Sequence, residues 1–138
     1  MSEGGSTLDD MDGTELENVQ SLQVTTEHGM WRIASASTTV YYLDLDLQAV
    51  VRARGVGSVG FLFDDEWAHL VDVICYDPLT GIPESDVIRV AGRPRYRFDP
   101  GPDWPDVEWR LQRNVISIER VEPTTAAVLR ASFVPTPR

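Results

Sequence analysis

The chain has 138 residues, a net charge of −10 and one cysteine. At this length a single domain buries about two thirds of its unfolded surface, so no metal or disulfide is needed to hold it together. No apolar run approaches the roughly 20 residues of a membrane span. The N-terminus lacks the hydrophobic stretch of a signal peptide, and Cys75 has no partner for an internal disulfide; a cytoplasmic, soluble protein is expected.

The charge is uneven. Residues 1–20 hold six acids and no base; residues 21–138 hold 16 acids and 12 bases, a net −4. So polar and acidic a segment cannot offset its ordering entropy, and 1–20 is expected to be a disordered tail. All 12 bases are arginine, which GC-rich codon usage explains more simply than selection for anion contacts.

Strand signals begin after residue 20 with "SLQVTTE". In "MWRIASA", Trp31, Ile33 and Ser35 alternate with Arg32, Ala34 and Ala36. "TTVYYLDLD" is the clearest strand: Thr39, Tyr41, Leu43 and Leu45 share one face, and Val40, Tyr42, Asp44 and Asp46 the other. "QAVVRAR" alternates again, and "SVGFLF" and "EWAHLVDVICY" read as further strands. "DVIRVA", "RYRF", "VEWRLQ" and "NVISIERVE" follow. "TTAAVLRASF" is balanced between strand and helix, since Ala and Leu favour helix. The separators "RGVGSVG", "DDE", "DPLTGIPES", "AGRP" and "FDPGPDWP" are turn material. Short strands with frequent turns predict an all-β domain over 21–134, a small antiparallel barrel or sandwich, with 135–138 as a C-terminal tail.

Each chemical motif competes with a structural explanation. Asp64, Asp65 and Glu66 stand between apolar runs, where a three-residue hairpin loop suits them better than a metal site. "GVGSVG", Gly55 to Gly60, matches the dinucleotide fingerprint by letter, but no helix pattern follows to hold a pyrophosphate. Asp44 and Asp46 lie on one strand face about 7 Å apart, a spacing open to acid/base work but also ordinary at a polar strand end. The nucleophile-elbow motif is absent around Ser58. His28, His69 and Cys75 lack zinc-ligand spacing. His69 reads as a structural residue in an apolar strand, and Cys75 as a small buried hydrophobe. No catalytic residue, metal or cofactor is expected.

Two features suit a partner. Arg93, Arg95 and Arg97 alternate, forming one basic face with Tyr96 and Phe98 opposite; with Arg89 they could meet a nucleic acid, or pair with acids such as Asp99, Asp103 or Glu108. In "FDPGPDWPDVEW", Trp104 and Trp109 either plug the end of the fold or form a recognition edge.

The run "WRIASASTTVYYLDLDLQAVVRARG", with "DDEWAHLVDVICY" and a late "NVISIERV", resembles small uncharacterised proteins of high-GC actinobacteria and their phages. The likeness lies in a Trp, a Ser/Thr-rich turn, a Tyr, an Asp-Leu, an Arg-x-x-Gly and a late Val-x-x-Ile strand. It implies a compact β-rich fold and an intracellular location, and carries no activity. The expected function is a non-catalytic protein-binding or regulatory module using Trp104, Trp109, Arg93, Arg95 and Arg97. The alternatives are a small-molecule-binding or hydrolytic barrel using Asp44, Asp46 and residues 64–66, and a nucleic-acid role through the Arg89–Arg97 strip or acidic mimicry. The expected partner is another protein in preference to a nucleic acid, with no membrane; the sequence sets no oligomeric state.

Overall fold

The computed structural model describes residues 17–136. Eleven strands and one helix follow in the order β1 (Asn18–Val19), β2 (Ser21–Gln23), β3 (Met30–Ser35), β4 (Val40–Asp44), β5 (Ala49–Ala53), β6 (Ala68–Tyr76), β7 (Pro83–Ser85), β8 (Val87–Arg89), β9 (Arg93–Asp99), β10 (Glu108–Leu111), β11 (Val115–Arg120) and α1 (Pro123–Ser132). All pairings are antiparallel. The expected all-β class therefore holds.

Nine strands form one sheet in the order β1-β11-β3-β4-β5-β6-β9-β10, with β7 added beside β6. The long β6 makes this possible. Its start pairs with β5 and its end with β7 on one edge, while β9 runs along the other. A bulge between Leu70 and Asp72 bends it. The sheet coils but does not close into a barrel, since β1 and β10 remain its two ends. The β2–β8 ribbon completes the core. Leu22 and Ile88 from the ribbon pack with Trp31, Ile33, Tyr41, Leu43, Val73, Tyr96 and Ile118 from the main sheet. The faces of β3 and β4 follow the alternation expected of them.

The other face of β3 and β4 is covered as well. Met30, Val40, Asp44 and Val51 are all buried there, where a half-exposed face was expected. Over Asp44 and Tyr42 the cover is α1, which settles the strand-or-helix balance over 126–133 in favour of helix. Its start is written as Glu122-Pro123: Pro123 opens the first turn and the Glu122 carboxylate accepts the Thr125 N–H. The helix seats through Arg130 on Asp44, Phe133 on Tyr42, and the Trp67 indole N–H donating to Leu129 O.

Three boundaries are corrected. "SVGFLF" is not a strand; residues 54–67 form one irregular connection, because Phe63 takes a positive φ of 73° and turns inward into the core. β7 lies inside a stretch expected to be turn. Ordered structure begins within the expected tail, since Asn18 and Val19 pair with Glu119 and Ile118; residues 1–16 of that tail, and 137–138 of the C-terminal one, lie outside the described residues.

Candidate functional site

The carboxylates divide between two faces of the sheet. Asp44, with 1% of its side chain exposed, lies beneath α1 and is held by Arg130; Asp46 sits nearby, accepting the Gly29 N–H and standing 3.9 Å from the same guanidinium. They share a face as expected. Asp64 is on the opposite face, where its carboxylate receives Arg52 and the Phe61 N–H. Asp65 accepts the Arg54 N–H and takes a positive φ of 62°. These bonds fold the 54–67 connection, and the two acid groups do not meet in one pocket.

Tyr41 stacks on Tyr96 with centroids 4.5 Å apart. Burial pushes the Tyr41 hydroxyl up to about 12, against the pull of Arg52 and Arg110. Tyr96 is wholly buried, and desolvation pushes its hydroxyl well above the usual range. Its hydroxyl donates to Gln112 Oε1 at 2.7 Å, and Gln112 Nε2 donates to Ile33 O at 2.9 Å. This buried chain ties the end of β10 to β3 across the gap that the sheet leaves open. Burial also pushes the Cys75 thiol up, as suits a small core residue. His69, expected to be structural, is exposed on β6.

The basic strip breaks up. Arg93, Arg95 and Arg97 do share the outer face of β9, but their neighbours differ from those expected. Arg97 pairs with Asp72, whose carboxyl it holds below the usual range by hydrogen bonding. Arg93 and Arg95 pair with no carboxylate among the described residues, and Arg95 Nε is buried without a partner. Arg89 is on another strand and forks onto Glu84 through two bonds of 2.6 and 2.8 Å.

The two tryptophans also part. Trp104 packs edge-on against Phe63 at 5.1 Å and donates to Glu108, partly plugging the end of the core. Trp109 is 57% exposed on β10. The bond from Gln112 N to Pro94 O sets the phase of the β9–β10 ladder. Hydrogen-bonded pairs alternate along it, so Glu108 and Arg110 face β9, while Trp109 and Leu111 turn their main-chain groups toward the open edge. Pro94 cannot return a bond, and Arg93 Nε donates to Gln112 O in its place. The two edge-facing residues are also those that carry exposed apolar side chains.

Sequence reasoning missed a cleft of about 500 Å³ beside this edge. One wall is the β3–β4 turn, with Ser35, Ser37, Thr38 and Thr39; a second is the start of the 54–67 connection; the third is Leu111, Gln112 and Arg113 with Arg93. No pattern within one segment announces it, because its walls come from three distant segments. No group of His, Cys, Asp or Glu among the described residues is arranged to hold a metal ion. No helix among them is long and apolar enough to cross a membrane. No family model matches the chain, and neither a curated protein nor a solved structure is significantly similar to it.

Proposed function

We propose that the protein is a non-catalytic binding module that takes an extended, acidic segment of another protein along the open edge of β10. The observation that carries this reading is the terminal position of β10, whose outward N–H groups belong to Trp109 and Leu111. An unpaired edge is a template for an added strand: main-chain bonds supply affinity and side chains supply selection. Trp109 would anchor the contact, as exposed tryptophans do in interface centres. Arg95 and Arg97 lie in register with Leu111 and Trp109. Arg97 is taken by Asp72, but Arg93 and Arg95 have no carboxylate partner among the described residues, so an acidic segment fits this face. The lone buried Cys75 fits a cytoplasmic setting.

The test compares the wild-type protein with Trp109→Ala and Leu111→Pro in capture from native cell extract. Proline at 111 removes an outward N–H and leaves the β9 bonds intact. A partner held by the wild type and lost by both folded variants supports the proposal. Retention of every partner by both overturns it, as does a concentration-dependent dimer that either variant abolishes.

A further inference from the structure

The cleft between β10 and the β3–β4 turn reverses the charge of the molecule around it. The chain holds 22 acids against 12 bases, yet the residues lining this cleft include Arg52, Arg93 and Arg113 and no Asp or Glu. Arg52 is partly consumed, since Asp64 and Val59 O accept from it and it stacks on Phe61 at 4.6 Å. Arg93 donates only its Nε, to Gln112 O, and Arg113 forms no ion pair among the described residues. Two guanidinium heads thus remain available beside one cleft.

Hydroxyls complete the lining. Ser35 Oγ accepts the Ser37 N–H, Ser37 Oγ accepts the Thr39 N–H, and Thr39 Oγ1 accepts the Gly55 N–H. Accepting in this way leaves the Ser35 and Thr39 protons as donors. Ser58 Oγ lies 3.2 Å from Ser37 Oγ and 3.3 Å from Thr38 Oγ1. A Cβ on Gly55 would sit 2.2 Å from the Thr38 carbonyl carbon, so the connection packs directly on the turn. Val56, Val59, Phe61 and Leu111 supply an apolar side.

We infer that this cleft binds a small molecule carrying an oxyanion, phosphate or carboxylate, gripped by Arg93 and Arg113 with its body against the hydroxyl and apolar walls. The volume is that of a small-ligand site, and guanidinium forks match oxyanions in bidentate fashion. This inference stands apart from the edge reading. Leu111 and Arg93 border both surfaces, but the grip on the anion includes Arg113, beyond the end of β10, and the test uses neither Trp109→Ala nor Leu111→Pro.

The test is titration with inorganic phosphate and, separately, with succinate, followed by calorimetry and by amide chemical shifts at low salt. Saturable binding of either anion is expected, with shifts centred on residues 35–39, 58 and 111–113. Arg93→Gln/Arg113→Gln should weaken it by about tenfold or more. Should that double variant melt early, Arg113→Gln alone, at an exposed side chain, should still weaken it. The tighter of the two anions identifies the oxyanion class. No saturable binding of either, or binding that Arg113→Gln leaves unchanged, overturns the inference.

Discussion

Replacing Arg130 by methionine separates two accounts of α1: a helix pinned by a buried charge, or one resting on apolar contact alone. Arg130 Nε donates to Asp44 Oδ2 at 2.6 Å and Nη2 to Oδ1 at 3.4 Å. The carboxylate is withdrawn from water at 1% exposure, whereas the arginine side chain is 37% exposed. Breaking a fully buried pair from one side costs about 3–5 kcal/mol, and an exposed pair contributes about 0–1 kcal/mol. With one partner buried and the other wet, the loss should fall between, at about 2 kcal/mol. Methionine retains the apolar stem, so lost packing adds little. At this chain length such a loss lowers Tm by about 8 °C. Thermal denaturation followed by circular dichroism at neutral pH reads it directly. Asp44→Asn/Arg130→Met should be more stable than Arg130→Met alone, because no unpaired charge is then left under the helix. A single variant that melts within about 1 °C of wild type, or a double variant that recovers nothing, would refute the reasoning.

Three further outcomes are expected. Tyr96→Phe strips the donor from Gln112 Oε1 in a buried site and should cost about 1–2 kcal/mol in urea denaturation; an unchanged midpoint would contradict the bridge across the sheet gap. Because Arg97 depresses the folded-state pKa of Asp72, that pair stabilises the fold above the ordinary carboxylate range and loses its effect as pH falls through the depressed value. The stability gap between wild type and Arg97→Gln should therefore be present at neutral pH and vanish in strong acid, and a gap independent of pH would speak against it. Gly55→Ala forces the connection away from Thr38 and should cost about 1–3 kcal/mol while shifting amide signals of residues 35–39; undisturbed signals there would show that the contact is not close.

How far the sequence reached depends on how local each cause is. Period-two alternation gave the faces of β3, β4 and β9 correctly, because the side-chain direction in a strand depends on the residue's own position. It did not predict that the outer face of β4 is buried. Asp44 reads as a solvent-facing residue until Arg130, 86 positions later, brings a helix over it. The Ala and Leu of "TTAAVLRASF" lean toward helix without deciding it, and the Glu122-Pro123 start before them is the local signal that does. "FLF" looks like a strand by composition, but one positive φ at Phe63 turns the chain. Trp109 was legible as a candidate contact from its loop. Its edge position, and its separation from Trp104, required the pairing order of the whole sheet.

The most direct measurement of the central claim is amide hydrogen exchange, residue by residue along β10, with and without the captured partner. Exchange at Trp109 and Leu111 should slow on binding, while Glu108 and Arg110, already bonded to β9, should change little. Uniform change along 108–111, or protection confined to other parts of the surface, would contradict strand addition at this edge.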